Sequence, residues 1–262
     1  MNIDLTGKRA IVCGASKGIG RAAAVELALL GASVILIART EATLQEAMAK
    51  LDTAKGQKHD YIALDFIDVD DVDAAIKAYL AKEPAVHILV NNAGGPPPGP
   101  ALSASVNDFA AVFAQHLMVS HLLVQAVVPG MKAAGYGRII NVISTSVKQP
   151  IKGLGVSNTI RGAVASWSKT LSAELAPFGI TVNNVLPGAT DTGRMQEIIA
   201  GKVKKTGKPE AEVMADEIAT IPAGRFANPA ELGAAIAFLA SPAAAYINGI
   251  NLPVDGGRTA SL

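Results

Sequence analysis

The chain has 262 residues, of which 50% are hydrophobic, and its 23 basic and 22 acidic residues give a net charge of +1. So balanced a charge provides no field that would attract nucleic acid or an anionic membrane, and we expect neither as a partner. The single cysteine, Cys13, excludes an internal disulfide and a cysteine-rich metal site, and no metal is expected. The start from Met1 to Arg9 is polar and lacks signal-peptide character, and no apolar run is expected to span a membrane. We therefore expect a cytoplasmic protein.

Short apolar runs alternate with helical patterns along the chain. The expected strands are 10–13, Ser33 to Ala38, Tyr61 to Leu64, Val86 to Val90, Gly137 to Ile143, Ile180 to Leu186 and Ile250 to Val254. The expected helices run from the first glycine turn to Leu30, and over Glu41 to Ala54, Val69 to Ala81, Asn107 to Ala134, Gly155 to Ala176, Gly193 to Ala219 and Ala230 to Leu239. This alternation predicts right-handed crossovers and a parallel α/β sheet. Because no linker divides the chain, we expect one domain over residues 1–262.

The first apolar run leads into a glycine turn with the sequence Gly14-Ala15-Ser16-Lys17-Gly18-Ile19-Gly20. Glycine permits a sharp turn and a close approach of the backbone to a diphosphate, and the free N–H groups at the following helix start attract its charge. Glycine turns between a strand and a helix also occur for packing alone. In the order strand, turn, helix, the pattern favours a dinucleotide site.

Two later stretches are expected to border the carboxyl ends of the strands, where ligands of parallel sheets bind. Asn92 follows the fourth strand within Asn91-Asn92-Ala93-Gly94-Gly95, which is either a ligand-lining segment or a plain turn. Residues 193–221 carry a charged helical segment outside the alternation. Its position indicates a substrate lid or loop, although a solvated surface helix has the same composition.

With the glycine turn, Asn91 to Gly94, and Pro187-Gly188-Ala189-Thr190-Asp191-Thr192 in that order, the chain resembles the short-chain dehydrogenase/reductase family. The stretches from Pro222 to Phe226 and from Leu252 to Gly257 are similar to its β-ketoacyl-carrier-protein reductase branch. The resemblance covers Leu5 to Gly257 and implies a seven-stranded, doubly wound sheet of the Rossmann type. It also implies a homo-oligomer, either a tetramer or a dimer.

The cofactor is predicted from the end of the second strand. A carboxylate there accepts hydrogen bonds from the ribose hydroxyls of NAD, whereas the extra phosphate of NADP needs cations. This strand ends Leu36-Ile37-Ala38-Arg39, without an acid, and the resemblance places phosphate-binding cations at Lys17 and Arg39. We predict NADP(H), with ordinary surface cations as the alternative reading of these two residues. The resemblance implies cofactor contacts from Gly14, Ser16, Lys17, Gly18, Ile19, Gly20, Arg39, Asp65, Asn92, Arg161, Thr190 and Thr192.

The catalytic positions depart from the family pattern of a Tyr-x-x-x-Lys pair, an upstream serine and a helix asparagine. Ser144 matches the serine, but Ser157 stands where tyrosine belongs, Arg161 where lysine belongs, and His116 where asparagine belongs. An aliphatic hydroxyl is a poor proton donor compared with a phenol, and an arginine stays protonated. His116 is either an acid–base group or a histidine packed on an apolar helix.

These residues predict an NADP(H)-dependent oxidoreductase that transfers hydride between nicotinamide and a small carbonyl/alcohol substrate, similar to 3-oxoacyl-carrier-protein reductases. Ser144 and Ser157 are expected to hold the substrate oxygen, and water or His116 to supply the proton. The alternative is a catalytically degenerate NADP-binding protein that acts by sensing or association.

Overall fold

The computed structural model describes residues 1–83 and 85–261. One sheet of seven parallel strands has the order β3-β2-β1-β4-β5-β6-β7. The strands are β1 (Arg9–Cys13), β2 (Ser33–Ala38), β3 (Asp60–Ala63), β4 (Ile88–Asn91), β5 (Gly137–Val142), β6 (Ile180–Pro187) and β7 (Asn251–Val254). Because β1 pairs with β2 on one side and with β4 on the other, the winding reverses at β1 and opens a crevice beyond its carboxyl end. The predicted doubly wound α/β fold is confirmed.

Helices cover both faces of this sheet. They are α1 (Gly18–Leu29), α2 (Glu41–Met48), α3 (Val69–Lys82), α4 (Val106–Phe113), α5 (Val119–Ala134), α6 (Gly155–Leu175), α7 (Gly193–Thr206), α8 (Glu210–Ala219) and α9 (Pro229–Ala240). Successive residues of β1 face opposite cores: Val12 packs with α1 and α9, and Ile11 with α3 and α5. Both faces of the central strands are therefore apolar, as a sheet covered on both sides requires.

The long helix expected from Asn107 to Ala134 is interrupted. After α4 the chain forms a π turn over Ala114–Met118, and α5 continues from it. A π turn inserts one extra residue without ending the helix, so the apolar pattern runs through it and periodicity does not reveal it.

The stretch from Val106 to Ala134 also corrects the expectation about membrane-spanning runs. By length and composition alone it is apolar enough to cross a membrane, so the prediction that no run reaches that length was wrong. Part of this apolar surface packs in the hydrophobic core, where Leu123, Val127 and Met131 are buried against the sheet.

Three predicted boundaries need correction. Helix α2 ends at Met48 rather than near Ala54, because the following N–H groups form short turn bonds to the carbonyls of residues 47 and 48. Strand β4 begins at Ile88 rather than Val86; just before it, the His87 ring accepts a bond from the N–H of Arg9 at 3.1 Å. The segment from Gly193 to Ala219 is two helices, because the chain turns left-handed at Gly207 before α8.

The α7–α8 segment leaves the sheet and returns to it at one place. The N–H of Ala227 donates to the carbonyl of Ala189, and the N–H of Asp191 donates to the carbonyl of Ala227, both at 2.9 Å. Within the segment, Lys202 on α7 pairs with Glu217 on α8. Residues 191–226 therefore form an excursion whose two ends are pinned together. The excursion contains residues 193–221, predicted as a substrate lid or loop, and for that prediction we call it the lid.

Candidate active site

The glycine turn is packed so tightly that side chains do not fit at two of its positions. A Cβ on Gly20 would lie 2.3 Å from the carbonyl oxygen of Gly14, and a Cβ on Gly14 would lie 2.7 Å from that of Asn92. Gly18 has a φ of +58°, in the left-handed region that favours glycine. Ser16 and Ile19 lie half-buried in the same turn. Helix α1 begins here, and Lys17 at its start makes no side-chain capping bond to the first N–H groups of the helix. This geometry fits a diphosphate.

Asn92 shapes the turn from the neighbouring strand. Its Nδ2 donates to the carbonyl of Cys13 at 3.2 Å and approaches that of Gly14 at 3.5 Å. These bonds join the ends of β4 and β1 across the crevice, so Asn92 fixes the glycine turn with its side chain.

Burial raises the pKa of the Cys13 thiol to about 12, which keeps this thiol protonated and chemically inert.

The two cations predicted to bind the ribose phosphate, Lys17 and Arg39, are accessible to a ligand. Lys17 and Arg39 are both exposed, and neither has an ion-pair partner within residues 1–83 and 85–261. Strand β2 ends at Ala38, so no acid stands at its carboxyl end. Asp65 is half-buried just after β3. A ribose phosphate at the end of β2 would meet Arg39 and no carboxylate at that position.

Thr192 borders the glycine turn from the lid side, and Thr190 is hydrogen-bonded to it. The Thr192 methyl group lies 3.3 Å from the position of a Cβ on Gly18. The Thr192 hydroxyl donates to the carbonyl of Thr190 at 3.3 Å and caps α7, and the Thr190 hydroxyl donates to the carbonyl of Gly188 at 3.2 Å. The first turns of α1, α7 and α9 line one surface pocket here together with Lys17.

His116 lies in the π turn and is 5% exposed. Its Nε2–H donates to the carbonyl of Gly94 at 3.0 Å, and its own carbonyl accepts from the Ser120 hydroxyl at 2.6 Å. Burial, and then the charge of Arg161, lower the pKa of His116 to about 3. The ring is therefore neutral near pH 7 and its donor is occupied, which favours the packed histidine over the acid–base group.

Arg161 lies on α6 and is 8% exposed. Its Nη1 donates to the carbonyl of Val142 at 2.7 Å, beside the end of β5. Burial lowers its pKa to about 10, so the guanidinium stays charged at neutral pH. Arg161 and His116 line one small cavity with Asn91 and Asn141. The structure thus brings these two predicted site residues together.

The two predicted serines lie outside that cavity. Ser144 is half-buried and accepts the N–H of Ser146 at 3.0 Å, so it caps the short turn after β5. Ser157 lies in the first turn of α6, half-buried, and its hydroxyl has no hydrogen-bond partner in the part of the chain that the structure describes. Its neighbour Asn158 bonds both polar groups of Ile151, which fixes the loop before α6.

A sequence model described as enoyl-(acyl carrier protein) reductase matches residues 14–259. The chain belongs to the short-chain dehydrogenase/reductase family. The 3-oxoacyl-(acyl-carrier-protein) reductase FabG of Vibrio cholerae is 35% identical over 97% of this chain and 98% of its own length. The D-threitol dehydrogenase of Mycolicibacterium smegmatis is also 35% identical, over 97% of this chain and 94% of its own length.

The solved structures of this family include a close match in shape. L-sorbose reductase from Gluconobacter frateurii, solved with NADPH and L-sorbose, superposes with a TM-score of 0.93 and 32% identity over 100% of both chains. The relatives therefore share the fold with this short-chain dehydrogenase/reductase while their names point to different substrates. The resemblance predicted from the motifs is confirmed at the level of the family.

Sequence reasoning missed the contacts of the proline-rich segment, Pro96 to Pro100. The Arg194 guanidinium of α7 donates to the carbonyl of Pro96 at 2.7 Å. Gly99 exchanges backbone bonds with Gly153 and Gly155, at 2.7 and 2.9 Å, just before α6. The run of prolines signalled an extended loop, but nothing local identifies its partners, which lie far along the chain.

Proposed function

We propose that this short-chain dehydrogenase/reductase is an NADP(H)-dependent oxidoreductase acting on a small carbonyl/alcohol pair. The observation that carries the proposal is the glycine cradle between Gly14 and Gly20 together with two exposed, unpaired cations and no acid at the end of β2. The sorbose reductase solved with NADPH supports the same cofactor. The cofactor supplies the hydride.

The residues of this chain bind the cofactor and orient it. Backbone N–H groups of the glycine turn hold the diphosphate, and Lys17 and Arg39 hold the ribose phosphate. Arg161, fixed on the Val142 carbonyl, offers its remaining N–H groups to the nicotinamide ribose. Thr190 and Thr192 border the nicotinamide end, and Asp65 borders the adenine.

Ser144 and Ser157 are the proposed partners of the substrate oxygen. Their hydroxyls donate to the carbonyl oxygen and stabilise the negative charge that develops there when the carbon accepts hydride. The proton comes from water, because the donor of His116 is held by Gly94 and the ring is neutral. An aliphatic hydroxyl is less acidic than a phenol, so we expect a slow reaction.

The resemblance to the family also suggests a localisation and an oligomeric state. We propose a cytoplasmic homo-oligomer, a tetramer or dimer, in which the α4–α5 surface is covered. Val106, Phe113 and Met118 are exposed there by 83%, 38% and 46%. An apolar stripe of this kind on one helix surface is typical of an interface between protein chains. The lid is proposed to close over the substrate, which is a small molecule or a 3-oxoacyl group.

The test is NADPH oxidation against a panel of ketones, aldehydes, 3-oxoacyl thioesters and quinones, after NADPH binding has been measured. Turnover with at least one carbonyl class is expected. Binding without turnover across the panel would instead support the degenerate NADP-binding protein. Changing Ser157→Tyr and Arg161→Lys together is the matched variant: activity that appears only in this double variant would show that the native site is not an ordinary carbonyl reductase.

A further inference from the structure

A line of asparagine side chains crosses four strands beside the site. Asn91, Asn141, Asn184 and Asn251 stand in register on β4, β5, β6 and β7. Each Nδ2 donates to the Oδ1 of the next side chain, at 2.8, 3.1 and 2.8 Å. We call these four side chains the asparagine ladder. Its amide dipoles all point one way, so each bond strengthens the next, and the acceptor end of the chain is Asn91.

The acceptor end of the ladder is unsatisfied. Asn91 is 6% exposed, and its Oδ1 has no hydrogen-bond partner among the residues that the structure describes. A buried acceptor left without a donor is destabilising, and native proteins satisfy nearly all such atoms with protein or with ordered water. Asn91 lines the same cavity as Arg161.

Arg161 is a buried cation that, in the described part of the chain, lacks acceptors for part of its guanidinium group. Of the N–H groups of its buried guanidinium, Nη1 donates to the Val142 carbonyl, and no acid pairs with it within the described ranges. A buried cation without a counter-charge needs acceptors around it. The oxygen end of a polarised amide chain is a neutral group suited to that task, and the ladder turns this end, at Asn91, to the cavity that Arg161 also lines.

The cavity has a volume of about 20 Å³, and a water molecule needs roughly 10–15 Å³. We propose that one ordered water lies here, donating to Asn91 Oδ1 and accepting from the guanidinium of Arg161. Through this water the asparagine ladder holds Arg161 in position. Asn91 is then a positioning residue, and its effect on the cofactor rests on the proposed function of Arg161.

The first experiment is a high-resolution crystal structure of the unmodified protein. A density peak within about 3.2 Å of both Asn91 Oδ1 and one guanidinium nitrogen is expected. A dry cavity, or a water that contacts Asn91 with no guanidinium nitrogen in reach, would overturn the proposal. This measurement involves no variant and no turnover.

The second experiment measures coupling in a double-mutant cycle without cofactor. Asn91→Leu, Arg161→Met and the combined variant are unfolded in urea, with Asn91→Ser replacing Asn91→Leu if the leucine variant does not fold. We expect the combined loss to be smaller than the sum of the single losses by about tenfold in the unfolding equilibrium constant. Additive losses would contradict the bridge.

The matched control is Asn183→Leu. Asn183 is buried on β6 next to the ladder, but its side chain bonds Ile247 and Ile250 instead. Its loss is expected to destabilise the protein and to show no coupling to Arg161→Met. Coupling of the same size in this control would mean that the Asn91 effect is general to the sheet.

The positioning role is read from NADPH affinity. Asn91→Leu and Arg161→Met are each expected to weaken NADPH binding by about tenfold, and the combined variant by no more than either alone. Asn183→Leu should stay within about twofold. Unchanged affinity in Asn91→Leu would remove the positioning role. If the unmodified protein bound no NADPH, the proposed function would fail, while the density and the cofactor-free cycle would still decide the water bridge.

Discussion

Nη2 of Arg194 donates to the carbonyl oxygen of Pro96 across 2.7 Å, and so joins the first turn of α7 to the segment that follows β4. His116 contacts the same segment through its hydrogen bond to the carbonyl of Gly94. Arg194 also pairs with Glu197 at 3.2 Å. One guanidinium therefore links the position of the lid to the position of the loop that borders the crevice.

Removing this link should weaken substrate binding. We expect Arg194→Met to raise the KM for the carbonyl substrate about fivefold, because a partly exposed, charge-assisted hydrogen bond contributes about 1 kcal/mol. The Kd for NADPH should change less than about twofold, since the bond lies on the substrate side. Steady-state kinetics and a binding titration check this.

The control for Arg194 is Lys204→Met, which removes another exposed lid cation. Lys204 has no ion-pair partner within the described chain. An equal rise in KM in this control would attribute the effect to the net charge of the lid rather than to the bond with Pro96.

The cofactor preference should depend on Arg39. We expect Arg39→Asp to weaken NADPH binding about 100-fold and NADH binding far less, because the change removes a phosphate partner and adds a repelling carboxylate. Fluorescence titration with both nucleotides measures the ratio. Lys50→Asp, an exposed cation just beyond α2, is the matched charge change. Equal losses for the two nucleotides would reject the assignment.

Acid should destabilise the protein through His116. Burial and the charge of Arg161 lower its folded-state pKa to about 3, from the ordinary histidine value of about 6.5. The neutral ring therefore contributes stability that is fully present above pH ~6.5 and is lost as the pH falls towards ~3. Between pH 7 and 4.5 we expect about 2.5 kcal/mol of this loss, which His116→Asn should abolish.

Urea unfolding at the two pH values measures this loss. His121→Asn is the control, because His121 is exposed on the neighbouring α5. A steep pH dependence that persists in His116→Asn would place the acid-sensitive group elsewhere.

Alanine should be harmful at one glycine, Gly20, and favourable at another, Gly162. Gly20→Ala puts a methyl group 2.3 Å from the Gly14 carbonyl, so we expect it to displace the turn and abolish NADPH binding. Gly162 lies inside α6 with no atom within 4 Å of a Cβ, and Gly162→Ala should stabilise the protein by about 0.5–1 kcal/mol. Calorimetry and NADPH titration separate the outcomes. Full NADPH affinity in Gly20→Ala would refute the tight cradle.

Local patterns account for what the sequence predicted well. The alternation of apolar runs and helical patterns determined the fold, and the glycine turn could be located because its residues are contiguous. The departure from the family's tyrosine and lysine at Ser157 and Arg161 is likewise read from one contiguous stretch with an intact helix pattern, and it stays a prediction. These features depend on neighbours within one or two turns of the chain.

Pairings between distant residues account for what was missed. Asn91 and Asn141 lie 50 positions apart, and Arg194 and Pro96 lie 98 apart. Their bonds arise from strand register and lid placement, which no local pattern encodes. The low pKa of His116 likewise needs its burial and its distance from Arg161, neither of which is written in the residue itself.

The pinned base of the lid has an evolutionary consequence. Because residues 189–191 bond directly to Ala227, changes of sequence or length between the first turn of α7 and the end of α8 alter an appendage and leave its base, with Thr192 beside Gly18, in place. Selection is thus free to exchange this cassette without re-inventing the hydride chemistry. Relatives named for a sugar, a polyol and an acyl carrier protein share this scaffold.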